Sequence, residues 1–407
     1  MNVLFVNPDS QTYYREFVRG LKEVGATVIG FGHLSRHRVP PSLRPYLDQY
    51  VTIQNLFDVE QLVAAARVVG RHVRIDRVET TDETLVVPTA QLRERLGLPG
   101  ISVETAILCR DKSAMKDRLR AEGIPCAQSA ACSSDAEVRA FVEKVSYPII
   151  LKPRAGFGSL NTHRVGSDAE LNALLPKLGL GDGGRSMAAE EYVDGHEGFY
   201  DTIMLDDRVG HEFISHYYPG CLAATLDRSV SPQIAVTNRL DSDGYAELKE
   251  VGRKVNRILG ITRSATHMEW FFGDKGLKFS EIGARPAGER IWDMYRAANE
   301  FDVYREWAHV VTTGQPSQTP SRRFAAGSIQ IRPDRDGRYV GHEGLEDALK
   351  KCGPWIYESD IPTPGTPTHP LEKGWLVNTW FRLRHPDYDE VRRMMAYLGQ
   401  TVKAHAR

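Results

Sequence analysis

The chain opens on a short apolar run, Val3-Leu4-Phe5-Val6, that stops at Asn7-Pro8. A stretch of helical periodicity follows to Val24, then a glycine and a second apolar run from Thr27 to Phe31. Two short apolar runs joined by an amphipathic stretch predict a β-α-β unit. Further amphipathic stretches at 59–69 and 85–96 continue this α/β layering to about residue 105. No GxGxxG follows the first run, which argues against a dinucleotide site there.

Beyond this opening the pattern changes. Asp111 to Glu122 reads as a helix capped by Asp111 and stopped by Gly123 and Pro125. Ser134-x-x-Glu137 and Ser167-x-x-Glu170 have capping-box spacing, and Pro148 to Leu151 reads as a strand, so a small α+β unit is expected. From Met187 onward longer strands are expected, with hairpin turns at Asp206-Asp207 and Gly273 to Gly276 and a helix from Tyr245 to Leu259. The segment PSQTPSRR after Gln315 predicts a linker into a last strand-rich unit that ends in a helix near 391–398. A chain of 407 residues is long enough for this many units. The expected boundaries are 1–105, 106–189, 190–315 and 316–407.

Charge narrows the function. With 52 basic and 53 acidic side chains the formal net charge is -1, so no chain-wide positive field exists to hold nucleic acid or an anionic membrane. Small-molecule partners fit better. Five cysteines without a CxxC pair argue against a disulfide framework or a structural zinc cluster. The first strand follows directly on the N-terminus with no basic leader, and no apolar run reaches membrane-spanning length, so a cytoplasmic protein is expected.

Three segments carry chemistry. Lys152 closes the run Tyr-Pro-Ile-Ile-Leu-Lys and is followed by Gly156, Gly158 and Ser159. An ammonium beside glycines suits a phosphate, because backbone N–H groups there can approach anionic oxygens; a plain surface turn is the alternative. Glu190-Glu191-Tyr192-Val193 breaks at Asp194-Gly195 and returns to an acid at Glu197. Its carboxylates and backbone can serve an adenine edge and ribose hydroxyls, or it is a solvated acidic loop. The third segment is sharper. Glu269 and Glu281 sit on two runs joined by a four-residue turn, and if those runs pair, the two carboxylates repel unless a cation lies between them. Oxygen ligands favour magnesium or manganese, shared with a nucleotide's phosphates. Arg285, just past the second acid, can stabilise a phosphoryl group in transfer; a solvated charged hairpin is again the alternative.

His211-Glu212-Phe213-Ile214-Ser215-His216 is a decoy. It has one residue too many for the zinc-protease motif, and on a strand its two histidines point to opposite sides.

In this order, the segments resemble the ATP-grasp superfamily and its carboxylate-amine ligases, over roughly residues 106–300. The resemblance implies an ATP-grasp fold: an N-terminal doubly wound α/β domain, a small lobe covering ATP, a larger antiparallel-sheet lobe for metal and catalysis, and a C-terminal unit on the substrate side. It places Lys112 and Lys152 on the nucleotide phosphates and Gly156, Gly158 and Ser159 in the flexible loop. It places Glu190, Glu191 and Val193 at the adenine, Glu197 on ribose, Glu269 and Glu281 on Mg2+ or Mn2+, and Arg285 at the acyl-phosphate. The implied activity is ATP-dependent joining of a small carboxylate, an amino acid or similar acid, to an amine, with release of ADP and phosphate. A carboxylase or kinase using the same site, or a non-catalytic nucleotide-binding protein, is the alternative. A homodimer is compatible with the family. Two departures stand out: Gly283 where many relatives carry Asn, and Ser264-Ala265 where a glycine is common before the His-x-Glu strand.

Overall fold

The computed structural model describes residues 1–156, 161–181, 185–371, 377 and 379–407. The N-terminal runs form a parallel four-stranded sheet in the order Gln49–Thr52, Thr27–Gly32, Asn2–Val6, Arg77–Glu79. Leu4, Val6, Ile29 and Phe31 face Leu62, Val63 and Ala66 of helix Val59–Gly70. Val3, Phe5 and Val28 face the other way, onto Phe17, Val18 and Leu21 of helix Tyr14–Glu23. Strands buried on both faces explain why the runs are continuously apolar rather than alternating.

A second, antiparallel sheet runs Ser129–Cys132, Met187–Glu191, Ile149–Pro153, His163–Val165. Helices Asp135–Val145 and Asp168–Leu178 close its apolar face through Val138, Phe141, Leu171 and Leu175. The expected capping box at Ser134 is complete, which contributes about 1 kcal/mol. At Ser167 only half of it forms: Ser167 accepts from the Glu170 N–H, whereas the Glu170 carboxylate turns to the Gly166 N–H.

The largest element is an eight-stranded sheet. It runs Gly276–Gly283, Ala265–Gly273, His196–Met204, Val209–Tyr218, Gln233–Val236, Ala325–Ile331, Thr379–His385, Ile356–Asp360. One face packs on helix Ala246–Ile258 through Tyr200, Met268 and Val255. The other packs on helices Ile291–Asn299 and Val303–Thr313, which also meet the N-terminal helix through Phe17, Trp292 and Tyr304.

The C-terminal segment is rich in strands as expected, and its strands Ala325–Ile331, Thr379–His385 and Ile356–Asp360 extend the large sheet from Gln233–Val236. Its end differs from expectation. The chain continues past helix Tyr388–Thr401 into strand Lys403–Ala406, which pairs with Tyr339–Glu343. The segment after Gln315 lacks regular structure, yet it is anchored: the buried Glu306 carboxylate accepts from the Ser317 N–H at 2.7 Å and from the Ser317 hydroxyl.

Among the described residues no helix is long and apolar enough to cross a membrane. The five cysteines are free thiols and all are buried.

Candidate active site

The site is built by strand register. Glu269 lies directly opposite Glu281 across the pair formed by Ala265–Gly273 and Gly276–Gly283. Glu269 also faces Phe199, and His267 faces Asp201, on the neighbouring strand. Alternation along these strands therefore puts Glu197, Asp201, His267, Glu269 and Glu281 on one face of the sheet. That face forms the floor of a cavity of about 1020 Å³, lined by Lys112, Gly156, His267, Glu269, Glu281 and Arg285 among others.

Lysines reach this floor from two other elements. Asp111 caps helix Lys112–Ala121 by accepting from the Ser113 and Ala114 N–H groups, and it also holds the Arg154 guanidinium. The Lys112 N–H donates to the Arg154 carbonyl at 3.1 Å, tying the helix start to the turn that follows Lys152. At the helix's other end the Phe279 N–H donates to the Pro125 carbonyl at 2.7 Å, docking its exit on the Glu281 strand.

As a result Lys112 Nζ lies 3.2 Å from Glu281 Oε2 and donates to the Gly156 carbonyl at 2.6 Å. Lys152 Nζ lies 3.5 Å from Glu281 and 3.0 Å from Glu190. Lys116, one helical turn beyond Lys112, is fully buried with its Nζ 2.5 Å from Glu190.

The electrostatics follow from these pairs. Burial alone would raise the Glu281 carboxyl, but the Lys112 and Lys152 ammonium charges outweigh it and hold it at about 2. Burial likewise opposes ionisation of Glu190, and Lys116 with Lys152 holds it below the usual carboxylate range. Burial lowers the Lys116 ammonium to about 8 despite its Glu190 partner. The cluster is thus a row of alternating charges at the edge of the cavity.

Arg285 also lines the cavity. Its Nε donates to Glu83 Oε2 at 2.5 Å, and Arg110 donates to the other Glu83 oxygen at 2.5 Å. Glu83 also explains Gly283. A Cβ there would stand 2.9 Å from Glu83 Oε2, so the N-terminal domain's carboxylate occupies the space a larger side chain would need.

His267 belongs to a chain of hydrogen bonds. Tyr295 donates to Asp201 Oδ2 at 2.6 Å, Asp201 Oδ1 pairs with His267 Nδ1 at 2.7 Å, and His267 Nε2 lies 3.7 Å from Glu269. Burial works against its charge, yet Asp201 raises the imidazole to about 9.

Glu197 shares this face, but its carboxylate accepts from the Cys221 N–H at 2.6 Å. Burial and the Glu269 charge raise it to about 8. Glu191 and Val193 are not drawn into the cluster: the Glu191 N–H donates to the Gln128 carbonyl at 2.9 Å and its carboxylate lies 3.9 Å from Lys275. Gly158 and Ser159 lie outside the described residues.

The decoy histidines separate as strand alternation requires. His211 pairs with Glu306 at 2.8 Å, and His216 with Tyr245 at 2.7 Å on the other face. Among the described residues no three His, Cys, Asp or Glu side chains gather as a metal site. Two carboxylates with cationic neighbours fit a hard divalent ion that takes its remaining ligands from phosphates and water.

Four of these residues escape sequence reasoning: Glu83, Lys116, Asp201 and Tyr295. Only Lys116 left a signal, its i,i+4 spacing from Lys112 on a predicted helix.

Residues 21–100 match the ATP-grasp N-terminal domain, and residues 111–286 match the carbamoyl-phosphate synthase L chain ATP binding domain. The chain is 25% identical over 358 residues to an L-arginine-specific L-amino acid ligase of Bacillus subtilis, covering 87% of this chain and 85% of that protein. It is 29% identical over 260 residues to alanine–anticapsin ligase of Bacillus subtilis (strain 168), covering 58% of this chain and 52% of that one. An L-amino acid ligase from Bacillus licheniformis shares the fold at TM-score 0.77 and 18% identity, over 100% of this chain and 98% of that one. N5-carboxyaminoimidazole ribonucleotide synthetase from Thermotoga maritima does so at TM-score 0.68 and 14% identity, over 100% and 99%. Two ATP-grasp family models together span residues 21–100 and 111–286, and the chain belongs to the ATP-grasp superfamily.

Proposed function

We propose that the chain activates the carboxylate of an amino acid or similar small acid as an acyl-phosphate and passes it to an amine, with Lys112, Lys152, Glu269, Glu281 and Arg285 as the working residues. The observation that carries this reading is the opposition of Glu269 and Glu281 on a cavity floor to which Lys112 and Lys152 are already bound by ion pairs.

Glu269 and Glu281 are the residues that would hold magnesium or manganese, which supplies charge neutralisation to the polyphosphate. Lys112 and Lys152 are poised to exchange part of their pairing with Glu281 for phosphate oxygens. Arg285 faces the same cavity and offsets charge on the phosphoryl group as the substrate carboxylate attacks the γ-phosphorus. ADP leaves, and the amine then displaces phosphate from the acyl carbon. In this reading Glu190, Glu191 and Val193 would serve the adenine and Glu197 the ribose, with Glu190 also holding Lys116 and Lys152. The His267 imidazole, held by Asp201, orients the floor beside Glu269.

The L-amino acid ligase activity of the similar Bacillus proteins supports amino acids as both partners. The test is a matrix of amino acids with ATP and magnesium. ADP and phosphate formed only when acid and amine are both present support the reading, and AMP in place of ADP overturns it.

A further inference from the structure

The same cavity is lined by a carboxylate that the mechanism does not use. Glu289 lines the cavity and is open to it. Among the described residues its carboxylate has no hydrogen bond or ion pair, in contrast to every neighbouring charge. Arg285 is held by Glu83. Arg290 is held by Asp293 at 2.6 Å and lies 3.4 Å from Glu358. Arg382 pairs with Glu358 at 2.6 Å and with Asp293 at 3.3 Å. The two arginines and two acids of that network pair with one another, and Glu289 stands outside it.

The backbone that presents it is strained. Glu289 and Arg290 have φ of 50° and 57°, two consecutive non-glycine residues in the left-handed region. Such residues are energetically costly and persist where the surroundings enforce them, commonly at binding sites. Here the enforcement is visible: Arg290 is clamped by Asp293 and Glu358, and helix Ile291–Asn299 begins immediately after it.

The walls beside Glu289 are aromatic. Gly288 brings the backbone to the Tyr13 hydroxyl, 3.8 Å from where a Cβ would be. On the other side Arg382 approaches the Glu289 carbonyl and stacks on the Trp380 ring at 4.5 Å. Tyr13 and Trp380 both line the cavity. An apolar stem can lie along such rings while a terminal cation reaches the acid. Neighbouring protein pushes the Glu289 carboxyl up from its ordinary value, with Arg382 opposing, and a cation seated beside it would favour the charged form.

We infer that Glu289 selects an amino acid with a cationic side chain, an alkylammonium or guanidinium, as the acid activated beside Arg285. This rests on the ligase reading above and adds the substrate class. Arg285, Tyr13 and Glu289 all line the one cavity, so a single substrate held there can present its carboxylate to Arg285 and its side-chain cation to Glu289.

The test compares L-lysine and L-arginine with their uncharged counterparts L-norleucine and L-citrulline. It measures amino-acid-dependent ADP formation by the full chain and, separately, binding by calorimetry in the presence of a non-hydrolysable ATP analogue and magnesium. The basic amino acids are expected to win by on the order of 10- to 100-fold in kcat/KM and in affinity, the worth of one charge-assisted hydrogen bond. E289Q should erase that preference while leaving the neutral substrates unchanged, and E289K should disfavour the basic ones further. Equal use of lysine and norleucine by the unaltered chain overturns the proposal, without need of any variant. So does an E289Q variant that loses basic and neutral substrates alike, since that would put the common α-ammonium on Glu289. Turnover without charge preference sinks this proposal and leaves the ligase reading standing; Glu289-dependent binding without turnover does the reverse.

Discussion

Arg285 Nε donates to Glu83 Oε2 at 2.5 Å, joining the end of the Glu269–Glu281 hairpin to a residue 202 positions earlier in the chain. Burial would raise the Glu83 carboxyl, and Arg285 and Arg110 together pull it below its ordinary value. The pair fixes where the guanidinium points before any substrate arrives. Glu83→Gln should therefore lower kcat by about a hundredfold, the cost of misplacing a group by about 1 Å, while ATP affinity measured by calorimetry stays the same. Unchanged kcat would mean that Arg285 is positioned by something else.

Glu281 receives two ammonium groups and faces Glu269. Glu281→Gln should reduce ADP formation by at least about a hundredfold, with circular dichroism and thermal unfolding showing an intact fold. Near-normal turnover in that variant removes the metal assignment.

Lys152 joins Glu190 to Glu281. Lys152→Ala should weaken ATP binding by about tenfold or more, since a charge-assisted contact to phosphate is lost. Nucleotide affinity equal to that of the unaltered chain would count against placing Lys152 at the phosphates.

The buried Glu306 gives the fold a pH dependence away from the active site. Burial opposes its charge, but the His211 imidazole and the Ser317 N–H and hydroxyl hold its carboxyl at about 2, down from 4.5. A carboxyl depressed on folding stabilises the folded chain fully above pH 4.5, and that contribution fades as pH falls from 4.5 toward 2. Glu306→Gln should lower the unfolding temperature at pH 7 and flatten its decline over that acid range. An identical acid profile for variant and parent would exclude Glu306 as the source.

What the sequence made legible follows the range of the interactions. Local chemistry could be read: the Asp111 cap, the Ser134 capping box, and the hairpin that sets Glu269 against Glu281. Each depends on residues a few positions apart or on one turn. Glu83, Asp201 and Tyr295 could not, because each reaches its partner through tertiary packing across 66 residues or more. Gly283 is the most instructive case. From sequence it is only a missing ligand, whereas the fold fills its space with Glu83. The extra unit expected at the C-terminus was legible as strands but not as part of the large sheet, since an open strand edge leaves no mark in composition.

The most direct test is isotopic. The full chain is incubated with ATP, magnesium and amino acids labelled with oxygen-18 in the carboxylate, and the mass of the released inorganic phosphate is measured. Attack of the carboxylate on the γ-phosphorus predicts one labelled oxygen in phosphate for each peptide bond formed. Label found in AMP, or phosphate that carries none, would contradict an acyl-phosphate formed between Arg285 and the Glu269–Glu281 pair.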